Sequence, residues 1–301
     1  MKIRKLGKIL YDSNGDPAAH IIGFFYFIIN LMERQIRPIF VFDGYPPREK
    51  REKSPIKIQR LVAAWKYYKT QAKHPAERRS LYEDPLFLYD KIISELQNFV
   101  RLMGCPVVRG ISEGEAQGAW LVREGNAYGM ISRDQDSLLF GCPRVYKEFN
   151  FKTESCIYYD LNAHLQRWGI THRQLVDIAI LIGTDFNEGI KGVGPKTALQ
   201  LIRKYGQLED IPKERIFPIN KGEENYRYQD FPFDIDRLRS LFLKPPIIKI
   251  KPSFQAPNTK YLRYFLRKKG WGLQRIDRGI SRLKLAFRRL PYKQASLFTY
   301  I

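Results

Sequence analysis

The chain has 301 residues, with 52 lysines and arginines facing 31 aspartates and glutamates, so its net charge at neutral pH is +21. Such an excess implies an acidic partner, nucleic acid before any other, rather than a basic surface kept only for solubility or heat tolerance. An apolar share of 44% supports one sizeable domain or two small ones, while three cysteines without CxxC spacing (Cys105, Cys142, Cys156) exclude a zinc site and a disulfide framework and point to a reducing compartment.

Residues 17–34 read as an apolar helix, hydrophobic on most sides; its run Ile21–Ile29 is too short to span a bilayer, and no signal peptide precedes it. IRPIFVFDG follows as a buried strand that stops at Asp43-Gly44. Residues 48–80 are crowded with Lys and Arg, with Trp65, Tyr67 and Tyr68 interleaved. A solvated helical face is the plain reading; a basic helical arch over a nucleic-acid path, with aromatics able to stack on bases, is the sharper one. Ile92, Ile93, Leu96, Phe99, Val100 and Met103 repeat at helical spacing and end at Gly104.

CPVVRG is a short strand. SEGEAQGAWLVREG is a helix with Ser112 and Glu115 at capping-box spacing, and AYGMIS is another buried strand. The order β, α, β, α, β predicts an α/β domain with a mostly parallel sheet. Residues 171–183 and 195–205 are helices on either side of a Gly-rich turn, 207–258 carry no clear pattern, and 261–269 and 274–290 are basic amphipathic helices.

Acid is scarce, yet Asp43, Glu113, Glu115, Asp134 and Asp136 fall at strand ends or at the helix start after one. In open α/β sheets that edge is where ligands bind. Gathered there unpaired, these carboxylates repel one another. Mg²⁺ or Mn²⁺ relieves that, and a pair of such ions about 4 Å apart supports phosphodiester hydrolysis by water. An ordinary cap or surface role is the alternative for each acid taken alone; Asp185 is ambiguous by itself, since Asp is common in turns. The four histidines (His20, His74, His164, His172) have no ligand or triad spacing and read as structural or surface residues.

GIKGVGPKTALQLIRKYG resembles a helix-hairpin-helix: Gly192 and Gly194 for a tight turn, Pro195 at the first helical position, and free N–H groups at the helix start for a phosphate. Its contacts to DNA are expected at Gly192, Gly194, Lys196 and Thr197. A packed Gly turn between helices is the alternative.

VFDGYPP, SEGEAQGAW, SRDQDSLLFG and LIGTDFNEGIKGVGPKTAL, in this order, resemble the flap endonuclease family of structure-specific 5′ nucleases, over a stretch from about Tyr11 to the last residue. The resemblance implies a PIN-like nuclease core at 1–290 with a helical arch (48–82) and a helix-hairpin-helix region (171–206). It implies two Mg²⁺ or Mn²⁺ ions on Asp43, Glu113, Glu115, Asp134, Asp136 and Asp185, and cleavage of branched DNA at 5′ flaps near a single-strand/double-strand junction, in replication and repair. Lys50, and more loosely Lys57, match basic residues that position the scissile phosphate, and K⁺ is implied on the hairpin carbonyls.

The tail 291–301 resembles a sliding-clamp (PCNA) binding box through Gln294, Leu297, Tyr300 and Ile301. No membrane partner is implied, and a monomer is expected, cytoplasmic and nucleoid-associated in an archaeon or nuclear in a eukaryote. The family pattern opens with a strand that ends in a further metal-binding aspartate and a helix with a base-stacking aromatic. This chain aligns with the family only downstream of that strand and helix, which implies a shortened reading frame. A junction-binding protein with impaired catalysis, and a 5′ exonuclease or other junction nuclease of the same family, are the alternative functions.

Overall fold

The computed structural model describes residues 4–5, 8–9, 11–45, 55–151, 153–216, 231 and 233–290, of which 4–5, 8–9, 55–58 and 213–214 are described as backbone alone. In chain order the elements are β1 (Arg4–Lys5), β2 (Lys8–Ile9), α1 (Ala19–Glu33), β3 (Phe40–Phe42), α2 (Pro55–Thr70), α3 (Pro75–Leu81), α4 (Pro85–Leu102), β4 (Val107–Arg109), α5 (Gly114–Arg123), β5 (Met130–Ile131) and α6 (Asp136–Leu139). There follow β6 (Arg144–Asn150), β7 (Ser155–Asp160), α7 (Leu161–Trp168), α8 (His172–Ile182), β8 (Gly183–Thr184), β9 (Asn187–Glu188), α9 (Pro195–Tyr205), a 3-10 turn (Leu208–Asp210), α10 (Lys213–Ile216), α11 (Ile235–Leu243), α12 (Thr259–Lys268) and α13 (Leu273–Arg288). They form two compact units, residues 1–40, 54–108 and 250–301 in one and 41–53 and 109–249 in the other.

The first unit is largely helical. Asp84 caps α4 by accepting the Leu86 N–H at 2.9 Å, and Pro85 takes the first helical position. Phe25 of α1 meets Trp271 edge-on with centroids 5.3 Å apart. A methyl on Gly279 of α13 would stand 2.4 Å from Phe25 Cε1, so the closeness of α1 to α13 requires that glycine. Beside this core lies a buried ionic cluster. The Lys269 ammonium stands 3.0 Å from Asp12 Oδ2 and 2.7 Å from Glu95 Oε1. Glu95 Oε2 takes the His20 ring at 3.1 Å. Tyr68 and Tyr82 donate their hydroxyls to Asp16 at 3.0 and 2.5 Å. Burial works against the Glu95 carboxylate, but the His20 hydrogen bond and the ammoniums of Lys269 and Lys91 outweigh it and bring its pKa down to about 2.

The second unit packs α5, α8, α9 and α11 around one core, with Ala119, Val176, Ile180, Ala198, Ile202 and Phe242 fully enclosed. Thr171 and Gln174 close a reciprocal capping box at the start of α8. Arg239 of α11 clasps Asp177 of α8 with two parallel bonds of 2.6 and 2.9 Å and also holds Glu209 of the 3-10 turn. β5 runs parallel to β6, and β6 antiparallel to β7, in the order β5-β6-β7. β3 and β4 make a separate two-stranded sheet.

Outside 48–82 the expected helices are present within a residue or two of their sequence-based bounds, and the described part of 48–82 forms two helices, α2 and α3. The expected mostly parallel sheet is met at β5–β6, while β6–β7 adds an antiparallel ribbon. Other expectations are corrected. The strand at Asp43 is three residues long and only half-buried, and among the described residues its sheet has two strands. β5 is not buried: among the described residues it lies at the edge of its sheet, and Ile131 is 48% exposed. The Ser112–Glu115 capping box does not form; Glu113 takes the N-cap place, and its side chain does not cap the helix. Two of the aromatics in 48–82 are not available for bases. Trp65 donates its indole N–H to Asp90 at 2.6 Å and packs edge-on against Phe87, and Tyr68 is held by Asp16. Tyr67 alone of the three is exposed.

Candidate functional site

The acidic site is built within the second unit from chain crossings rather than from one helix face. Gly44 passes Gly110 so closely that a Cβ on it would lie 2.0 Å from the Gly110 carbonyl oxygen. Backbone bonds lace the crossing: Gly44 N–H donates to Ser112 O at 2.6 Å and Tyr45 N–H to Ile111 O at 2.9 Å. Asp43 is thereby set against the start of α5, and its Oδ1 accepts the Gly114 N–H at 2.7 Å. This bond replaces the expected Ser112 cap: a carboxylate from another segment satisfies an orphan N–H at the positive end of the helix. A Cβ at Gly114 would come within 2.9 Å of that oxygen, so only glycine allows the approach. Glu113 and Glu115 flank Gly114, and Asp43, Glu113 and Glu115 each offer a carboxylate oxygen within 4.8 Å of the other two.

Ser132, just past β5, ties the next acidic stretch to this group. Its hydroxyl donates to Glu115 Oε1 at 3.4 Å and accepts the Asp134 N–H at 3.0 Å. Asp136 N–H in turn donates to Asp134 Oδ1 at 3.1 Å. Burial pushes the Glu115 carboxyl above its usual range, and the charges of Asp43, Asp134 and Glu113 push it further, against a bond from its own N–H. An all-carboxylate donor set with one member raised by burial and like charges fits a hard divalent cation, whose charge would reverse that shift.

Asp185 stands at the tip of a two-residue hairpin between β8 and β9, exposed. Thr184 Oγ1 holds that hairpin through Asn187 Oδ1 at 2.8 Å, and the buried Asn187 amide donates to Ile180 O at 2.9 Å. So Asp43, Glu113 and Glu115 come together, the charge of Asp134 acts on Glu115, and Asp136 and Asp185 lie outside the close group of three. Lys50, Gln294, Leu297, Tyr300 and Ile301 lie outside the described residues, and Lys57 is described as backbone alone.

The Gly-rich turn is held from below. Val193, Ala198 and Ile202 are buried pillars, and Val193 N–H donates to Ile190 O at 3.0 Å. Gly192 takes φ +88°, a left-handed conformation that favours glycine. A methyl added at Gly192 or Gly194 would meet no heavy atom within 4 Å, so the upper surface is open. Lys196 and Thr197 are exposed in the first turn of α9, where N–H groups have no intrahelical acceptor.

Two neighbours of the acids escaped the sequence reading. Ser132 was visible as the serine of SRDQD, a short hydroxyl two residues before an acid. Arg109, which ends β4 and points its Nε at the Asp43 carbonyl oxygen (3.4 Å), was visible as a base just before the acidic turn.

Comparison with known proteins places the chain beside DNA nucleases. Residues 6–61 match the XPG N-terminal domain and residues 104–185 the XPG I-region. Flap endonuclease 1 of Methanopyrus kandleri is 36% identical over 96% of this chain and 85% of its own length. That of Nanoarchaeum equitans is 33% identical over 99% and 87%. Among solved structures, flap endonuclease-1 from Methanococcus jannaschii superposes with a TM-score of 0.65 at 27% identity, over 95% of this chain and 88% of that one. The catalytic core of Rad2 in complex with DNA substrate gives 0.65 at 25% identity, over 88% and 86%.

Proposed function

The chain belongs to the flap endonuclease family, a family of metal-dependent, structure-specific DNA nucleases, and from that premise we propose that it cuts branched DNA at 5′ flaps with Mg²⁺ or Mn²⁺. The observation that carries this reading is the oxygen group of Asp43, Glu113 and Glu115 within 4.8 Å. Asp134, Asp136 and Asp185 complete the proposed ligand set. Bound there, the cations would activate a water and stabilise the leaving oxygen of the phosphodiester.

The residues of the chain do the rest. Asp43 fixes the start of α5, and Ser132 orients Glu115. Gly192, Gly194, Lys196 and Thr197 receive the duplex backbone without reading its sequence. Lys50 and Lys57 steady the scissile phosphate, and the other basic side chains of 48–82 attract the single strand. A K⁺ ion on the hairpin carbonyls, docking of Gln294, Leu297, Tyr300 and Ile301 on a sliding clamp, action as a monomer, and a place beside the genomic DNA in the cytoplasm belong to the same proposal.

The test uses a labelled 5′-flap duplex with Mg²⁺, alongside nicked, gapped and four-way substrates. Incision next to the flap junction, lost with EDTA and in Asp134→Asn, is expected. Binding of the flap without any incision at any Mg²⁺ or Mn²⁺ concentration would leave a junction-binding protein instead. Preferred incision of the four-way substrate would move the assignment to another junction nuclease of the family.

A further inference from the structure

Three helices of the second unit carry acids at one end: α5 begins beside Glu113 and Glu115, α6 begins with Asp136, and α8 runs directly into the hairpin of Asp185. Their other ends meet at the turn Leu139–Gly141. His172, the first residue of α8, places its Nε2 2.8 Å from the Leu139 carbonyl oxygen. Facing an acceptor, that nitrogen carries the ring proton and donates it. Arg123, the last residue of α5, donates through Nη1 to the neighbouring Phe140 carbonyl oxygen. These are carbonyls at the C-terminal end of α6, which the helix itself cannot satisfy. Gly141 makes room for both side chains: it takes φ +74°, and a Cβ there would lie 3.0 Å from Arg123 Nη1 and 3.0 Å from His172 Cε1. Burial holds the His172 ring below its usual pKa, and the nearby Arg123 charge adds to that against bonds to Leu139 and Leu138, so the imidazole is the neutral donor.

We propose that His172 and Arg123 are positioning residues that lock the three acid-bearing helices together at Leu139–Gly141 and so set where the nuclease cuts relative to the duplex held by the helix-hairpin-helix. α8 is the rigid link. At one end it is pinned to α6; at the other it continues to Asp185 and, nine residues on, to Gly194. With the His172 bond gone, α6 and its Asp136 can shift against α8, and the acids no longer address one phosphate. Both side chains are engaged by backbone carbonyls, Leu139 O and Phe140 O, and neither role is a fold requirement alone: a glutamine in place of His172 brings an amide N–H to the same reach.

The inference rests on the nuclease reading, and two measurements on the full chain separate them. The first is Mn²⁺ affinity without DNA, by titration with paramagnetic resonance. The second is the product-length distribution on a fixed 5′-flap duplex at single turnover, with flap affinity measured in Ca²⁺. His172→Leu is expected to weaken Mn²⁺ binding about tenfold, as removal of groups that orient metal ligands does. It should also spread a single incision over neighbouring positions, with flap affinity kept within about twofold, since the phosphate-binding turn is untouched. His172→Gln should restore both. Should His172→Leu not fold, Arg123→Gln, which is too short to reach Phe140 O, is expected to give the same two changes. A variant that folds and keeps wild-type Mn²⁺ affinity and a single incision site overturns the inference. A wild-type chain that binds Mn²⁺ normally but neither binds nor cuts flap DNA overturns the nuclease reading instead.

Discussion

A charge cluster of the first unit and the acidic site of the second are opposites. In the first unit Lys269, Lys91 and Arg78 interleave with Asp12, Asp16 and Glu95, and His20 hydrogen-bonds Glu95, so each acid meets a cation. In the second unit Asp43, Glu113 and Glu115 bring their carboxylates within 4.8 Å of one another, with the charge of Asp134 acting on Glu115 as well. In the closed cluster the partners outweigh burial and bring Glu95 down to about 2; in the open one burial raises Glu115 and the neighbouring charges add to it. Ionisable residues that satisfy each other hold a fold, whereas like charges kept together by backbone geometry, at Gly44 and Gly114, await a partner from outside. The difference is in the sign of the neighbours rather than in the number of acids.

The largest test of this contrast is to neutralise one acid in each place. Glu115→Gln is expected to lower flap cleavage on the order of 1,000-fold, the scale of losing a charge-stabilising group from an active site. In EDTA its melting temperature should rise by about 2 °C, because a repulsion is removed and no partner is orphaned. Glu95→Gln should do the reverse. It leaves Lys269 and His20 facing a neutral amide, which costs about 3–5 kcal/mol in chemical denaturation. A Glu115→Gln protein that is less stable without metal would break the contrast.

A pH series in EDTA sharpens the same point, because the two shifts have opposite signs. Glu95 has a folded pKa of about 2 against an ordinary 4.5. Its contribution, about 3 kcal/mol, is complete above 4.5 and is lost as pH falls through 2. Glu115 is raised, so between its ordinary and its folded pKa the native state binds the extra proton, and metal-free stability declines as pH rises through that window. Subtracting each Gln variant's curve of stability against pH from the wild-type curve should give slopes of opposite sign.

Only one of the two gatherings was legible in the sequence. Asp43, Asp134 and Asp136 end apolar runs, and Glu113 and Glu115 open a helix, so topology alone brings them toward one edge. GIKGVGPK showed its turn by glycine spacing, and α9 begins at the expected Pro195. The closed cluster left no such trace, since Lys269 meets Asp12 across more than 250 positions of chain. For the same reason the cap that Asp43 gives α5 was read as local, from Ser112, when the bond comes from a segment 71 residues away. Trp65 and Tyr68 looked like surface aromatics in a basic run because their partners, Asp90 and Asp16, are also distant in sequence.

The smallest effect separates two lysines. Lys269 is spent on Asp12 and Glu95 and is buried, whereas Lys196 stands exposed at the open start of α9. A cation turned outward has only phosphate to neutralise, and each neutralised phosphate releases counterions. Lys196→Ala should therefore weaken binding to duplex DNA by roughly two- to fivefold near 0.1 M salt, equally for unrelated sequences, and lower the slope of log affinity against log salt by about 0.9. Its melting temperature should not move, because an exposed lysine without an acid contributes little to stability. An unchanged salt slope would mean that α9 presents its first turn to something other than a phosphate backbone, and the outward-facing half of the contrast would then rest on the carboxylates alone.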